Sequence, residues 1–316
     1  MKRIVVFCVV TFVITYALEF GVVYPLNEKA NLGEIPSYIA LISISAMMFL
    51  PSIGVVLTRL ITREGFKNAL IKPVNFKRTF KYYLLAWFAP PVLIALGAAV
   101  YYLAFPGDFD PTMSLMATSL ESQVGAEVAG VMSAVPIQTV FLTQLIVGVL
   151  FAPLLNIVTC FGEEWGWRGY LLPKVNERLS FIPTVLVTGV IWGLWHAPIT
   201  AIGHNYGLGY PGYPYLGIFA MCCFCVVAGT FLSYVTVKAK SCLPAAIGHG
   251  AINGFGSIGI FFSATGGNPF VGPFPVGIVG GTALIIVAVV ICIRMRKEPR
   301  WTQPAPINSP AAGTLE

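Results

Sequence analysis

Charge is what this sequence has least of. Of its 316 residues, 10% are charged and 57% are hydrophobic, whereas a soluble domain carries roughly 25% charged residues. So little charge excludes a chain solvated over its whole surface. A mean hydropathy of +0.81 places it among membrane proteins. Histidine is scarce too, with three in all: His196, His204 and His249. No HExxH occurs, so a metal site carried on one helix is excluded. The one CxxC spacing, Cys222 to Cys225 in Cys222-Cys223-Phe224-Cys225, lies inside an apolar run. The seven cysteines are scattered and most lie in apolar runs, which predicts small buried residues rather than disulfides or metal ligands. The apolar runs are continuous rather than alternating, which excludes a membrane barrel. An internal repeat is also lacking, which weighs against the inverted-repeat transporters.

What is present is eight apolar runs, at about 4–26, 37–61, 82–105, 138–172, 182–200, 215–237, 242–262 and 274–294. A membrane helix needs roughly 20 apolar residues. The expectation is an all-α, polytopic membrane helix bundle of about eight transmembrane helices. It forms one domain over 1–295, with a motif-bearing core at 138–262 and a disordered Pro-rich tail at 296–316. The first run continues past Glu19 without a small-x-small cleavage site, so it reads as a membrane helix and not a signal peptide. The run 138–172 is too long for a simple span and must be tilted, broken or extended past the lipid. The 106–136 loop reads as a connector with a surface helix; a lid is the second reading.

Basic residues set the expected orientation. With the N-terminus inside, 18 of the 19 Lys and Arg residues fall at the inner side, and Lys29 falls outside. Lys and Arg accumulate in cytoplasmic loops, so both termini are expected in the cytoplasm, in the plasma membrane of its cell. The net charge of +6 then reads as lipid-facing, with no nucleic-acid partner. The basic 59–81 loop lies against anionic headgroups. Oligomeric state is not encoded in any feature of the sequence.

The polar residues inside the runs carry the functional signal. "CFGEEWGWRGYLLP" at 160–173 holds Glu163, Glu164 and Arg168. His196 ends "VIWGLWH", four residues after Trp192, and His249 opens "HGAIN", four residues before Asn253. Residues four apart share a helix face. Glu164 and Arg168 therefore pair, and Glu163, turned by about 100°, is left for a cavity. At ~1.5 Å per residue the glutamates lie ~13 Å from the inner end, His196 ~21 Å, His249 ~10 Å and Asn253 ~16 Å. They meet in one cavity, expected in the inner half of the membrane. A central charge costs at least ~2.5–3.5 kcal/mol there, so the group reads as functional. His204, in "GHNYGLGYPGYP", reads as a solvated loop residue. Two chemistries fit. A Glu beside a His can move a proton from water to a leaving amine while a second His and an amide hold an oxyanion. Alternatively, Glu163, His196 and His249 can bind zinc with water in the fourth position.

At these residues the chain resembles the CPBP intramembrane proteases, which include the type II CAAX prenyl endopeptidases, abortive-infection proteins and bacteriocin-immunity proteins. "EEWGWR" is similar to their EExxxR motif, "WGLWH" to FxxxH and "HGAIN" to HxxxN. One departure stands out: Trp192 occupies the position where Phe is usual. The resemblance implies an eight-helix bundle with a cavity open to the cytoplasmic side and to lipid. It implies that Glu163 with His196 activates water, that His249 with Asn253 stabilises the oxyanion, and that Glu164 and Arg168 hold the site together, with Trp192 packing against it. It also implies a membrane-associated peptide or prenylated protein as substrate, and it leaves open a bound metal or a metal-free glutamate mechanism. Two other readings compete: a proton-coupled transporter, and a non-catalytic immunity or scaffold protein.

Overall fold

The computed structural model describes residues 1–123 and 135–301. The expected tail beyond Trp301, and part of the expected 106–136 connector or lid, lie outside the described residues. Among the described residues, six helices are long and apolar enough to cross a membrane: α1 (Lys2–Asn31), α2 (Ser37–Ile61), α3 (Phe76–Ala104), α5 (Ile137–Leu155), α8 (Tyr215–Ala239) and α9 (Leu243–Phe262). Two shorter apolar helices, α7 (Phe181–Trp195) and α10 (Thr282–Met295), complete the eight apolar elements. Between α3 and α5 lies the short helix α4 (Ser114–Gln123). The chain is therefore the polytopic helical membrane bundle that its composition predicts.

The overlong fourth run resolves into two helices. After α5, a turn at Asn156 leads into α6, which starts at Ile157, passes through a π turn at Trp167–Leu171 and ends at Asn176. Pro153 is part of the cause: it has no N–H to offer the carbonyl of Val149. That carbonyl instead accepts a hydrogen bond from the indole of Trp87 at 2.8 Å, so the break leaves no orphaned acceptor in lipid. The last run is shorter as a helix than as a sequence. Its first residues, "FPVGIVGG" at 274–281, form turns because proline and glycine punctuate them.

Helices that carry polar groups are packed unusually close. Gly162 and Gly166 of α6 face α2, where a Cβ on Gly166 would stand 2.4 Å from Pro51 Cβ. Gly189 and Gly193 of α7 face α8, where a Cβ on Gly193 would stand 2.4 Å from Cys222 Cα. Each pair is a small-xxx-small spacing of the kind that lets membrane helices approach backbone to backbone. The two spacings frame Glu163–Glu164 on α6 and Trp192 on α7.

The bundle has two chemically different ends. At one end Glu64 pairs with Lys174 and, at 3.6 Å, with Arg3, and Lys238 pairs with Glu298 at 2.7 Å. At the other end Asp108 accepts hydrogen bonds from Tyr101, Ser263 and Thr265 at 2.7–2.9 Å, joining the ends of α3 and α9. The basic residues gather at the first end. If they mark the cytoplasmic face, cysteines placed at Lys77 and Gly107 in a cysteine-free background will react with an impermeant thiol reagent from opposite sides of sealed vesicles. Both positions are exposed, and a Cβ on Gly107 meets nothing within 4 Å. Reaction of both from one side would break this topology.

Candidate active site

Glu164 is fully buried, and its oxygen Oε1 accepts from two sides. Arg168 Nη1 donates to it at 2.9 Å from the next turn of α6. His249 Nδ1 lies 3.0 Å from it, across from α9. The i, i+4 pairing read from the sequence is present, and the contact with His249 adds to it. A carboxylate accepts, so the imidazole donates through Nδ1 and its Nε2 is the nitrogen left over. The guanidinium of Arg168 lies 4.1 Å from the ring centre of Trp192, a cation–π contact in a desolvated setting.

Trp192 touches Glu163, Arg168, His196 and His249. Its indole N–H donates to Glu163 Oε2 at 2.9 Å. Its ring centre stands 5.7 Å from that of His196 and 5.3 Å from that of His249, edge-on to the latter. Packing was the role expected of it, and a phenylalanine would supply that packing. The hydrogen bond to Glu163 is one that phenylalanine has no atom to make. Trp167 adds a longer contact to the same oxygen, at 3.4 Å. Both indoles hold Oε2, and no hydrogen bond holds Oε1 among the described residues.

His196 closes α7. Its Nδ1 lies 2.9 Å from the carbonyl oxygen of Trp192. A carbonyl only accepts, so in the neutral ring the proton sits on Nδ1 and Nε2 carries the lone pair. Trp195 stacks edge-on against the ring at 4.8 Å and is itself anchored by an indole hydrogen bond to Thr15 of α1 at 2.8 Å. The first helix thereby supports the site although no motif lies on it.

Glu163, Trp192, His196, His249 and Asn253 all line one cavity of about 520 Å³, within the 300–1,000 Å³ typical of ligand pockets. Asn253 is exposed there, and its amide reaches Cys160 Sγ at 3.8 Å. The rest of the wall is largely apolar, with Ile44, Met48, Ile199, Met221 and Phe224 among its residues. Among the described residues, no group of three His, Cys, Asp or Glu side chains is placed to hold a metal ion. Glu163, His196 and His249 as arranged do not fit a three-ligand site.

The depth of the cavity differs from the sequence reading. It includes His204, Asn205, Ser257 and Phe274, which belong to the end opposite the basic residues. The glutamates cause this: helix α6 runs on to Asn176, which puts Glu163 ~20 Å from the basic end rather than ~13 Å. His196, at the far end of α7, lies ~22 Å from Phe181, close to the depth expected of it. His204, expected as an ordinary loop residue, is exposed but on the cavity wall.

Sequence reasoning missed Trp167 and Trp195, whose signal was their spacing from Glu163 and their place beside His196. It also passed over Glu19, which is 2% exposed on α1 with neither carboxyl oxygen partnered among the described residues. A carboxyl inside a membrane run was visible as a single letter.

Comparison with known proteins agrees with the three motifs. Residues 138–255 match the family described as type II CAAX prenyl endopeptidase Rce1-like, so the resemblance is shown over the stretch that carries Glu163, His196 and His249. The chain is also similar to CAAX prenyl protease 2 of Methanococcus maripaludis, with 36% identity over 44 residues. That alignment spans 14% of this chain and 16% of the relative.

Proposed function

We propose that the cavity is the active site of a membrane-embedded endopeptidase that uses water as its nucleophile. The observation that carries the reading is the state of Glu163: one carboxylate oxygen held by two indoles, the other unheld, in a cavity shared with His196. Glu163 takes a proton from a water molecule. The hydroxide adds to the scissile carbonyl, and the C–N bond breaks as the proton passes to the leaving amine. His196, with Nε2 unheld, orients the water. Asn253 and His249 Nε2 donate to the tetrahedral oxyanion. Glu164 and Arg168 act through His249 and Trp192 and do not touch substrate. No step is routed through a metal.

The substrate in this reading is a lipidated or membrane-embedded peptide tail. The apolar wall suits an acyl, prenyl or transmembrane segment, and the name of the curated relative points to a prenylated one. With the basic end at the cytoplasm, the cavity is entered from the opposite face or from within the bilayer. This differs from the cytoplasmic opening that the family resemblance implies.

The test is hydrolysis of a quenched fluorescent peptide library, prenylated and unprenylated, by the purified protein with and without a chelator. Glu163→Gln should lower cleavage at least ~10²-fold, the lower range for general acid–base catalysis. Cleavage that survives the substitution would remove Glu163 from the mechanism, and cleavage lost to the chelator would restore a metal.

Trp192→Phe separates packing from hydrogen bonding. It keeps the ring that family members usually carry at this position and removes the donor. Loss of one hydrogen bond to a charged group should lower kcat about tenfold with KM little changed. An unchanged kcat would reduce Trp192 to packing.

A further inference from the structure

A second cavity, of about 440 Å³, lies at the basic end, remote from Glu163. It is enclosed by the end of α2 and the loop after it, the last turn of α6, the end of α8 and the stretch after α10. Five cationic side chains line it, Arg59, Lys67, Lys174, Lys240 and Arg300, against two carboxylates, Glu64 and Glu298. Both carboxylates are already used. Glu64 is bound by Lys174, by Arg3 and by the hydroxyl of Tyr170 at 2.9 Å. Burial works against its charge, but the hydrogen bonds from Lys174 and Tyr170 outweigh burial and hold its carboxyl below the usual range. Glu298 is paired with Lys238.

Cations at helix ends are ordinary; a buried guanidinium without full partners is not. Arg59 is 3% exposed. Its Nη1 donates to the carbonyl of Gly65 at 2.6 Å, its plane lies 5.2 Å from the Tyr170 ring centre, and its Nε is buried with no hydrogen-bond partner. Lys67, Lys240 and Arg300 are exposed around it, with no ion pair among the described residues. We infer that this cavity binds a phosphate group. The Arg59 fork and the surrounding ammonium groups match an acceptor with several oxygens and one or two negative charges. The cavity sits where helix ends meet the headgroup layer, as basic pockets for anionic lipid headgroups do. The same chemistry would hold a soluble phosphate.

The experiment is thermal unfolding of the purified full chain in neutral detergent, titrated separately with phosphatidylglycerol, phosphatidylcholine and inorganic phosphate. A ligand that binds the folded state raises Tm with concentration. Phosphatidylglycerol is expected to raise it and phosphatidylcholine to leave it unchanged; a matching rise with inorganic phosphate would identify a soluble source. Lys67→Glu with Lys240→Glu, both on exposed side chains, should raise the half-maximal concentration about tenfold or more. Lys77→Glu with Lys81→Glu makes the same charge change outside the cavity and should preserve the shift. The inference is overturned if neither phosphatidylglycerol nor inorganic phosphate raises Tm, if zwitterionic phosphatidylcholine does so equally, if the Lys67/Lys240 variant responds like the parent, or if the Lys77/Lys81 variant loses the response equally.

Discussion

One carboxylate makes the rest of this site tolerable in a membrane. Glu164 binds Arg168 on its own helix and His249 on another through the same oxygen, so three polar groups pair with and orient one another. Arg168 in turn lies on the face of Trp192, and Trp192 donates to Glu163. The chain of contacts runs from the buried ion pair to Glu163, whose Oε2 is held by indoles. A buried ion pair is weak evidence of stability in itself, but removing either partner strands the other. That asymmetry explains why three charges persist in an otherwise apolar, aromatic-rich stretch.

Close helix packing gives these contacts their geometry. Glycine pairs at 162/166 and 189/193 bring α6 against α2 and α7 against α8 at backbone distance. Gly229 of α8 does the same for the arginine: a Cβ there would stand 2.8 Å from Arg168 Nη2. The indoles of Trp192, Trp167 and Trp195 then reach polar partners that longer separations would leave to water. Rigid side chains with one donor each suit a site that must hold its shape in a medium with no water to satisfy stray groups.

Much of this was legible in the letters. Each of the eight apolar runs became helical, the fourth as two helices, because a membrane leaves the backbone little choice. The i, i+4 spacing of Glu164 and Arg168 specified their pairing, and Glu163, His196, His249 and Asn253 line one cavity, while Glu164 and Arg168 are not on its wall. The break at Asn156 was foreshadowed only by the excess length of its run; Pro153 and the Trp87 contact that compensates it needed the fold. Two facts were beyond the sequence reading. The hydrogen bond from Trp192 depends on the rotation of α7 against α6. The depth of the cavity depends on where α6 ends, and helix ends are poorly marked in a run this apolar. The result is a bundle with the Arg59 cavity at its basic end and the Glu163 cavity in its opposite half.

The most direct test of the account is a double-mutant cycle on Glu164 and Arg168, using Glu164→Gln, Arg168→Met and the double variant, with unfolding followed in detergent. If the pair makes the site tolerable, each single variant loses about 3–5 kcal/mol by leaving a buried group unpaired. The double variant then loses clearly less than the sum, with a coupling of about 1–3 kcal/mol. Additive losses, or an Arg168→Met protein as stable as the parent, would contradict the account.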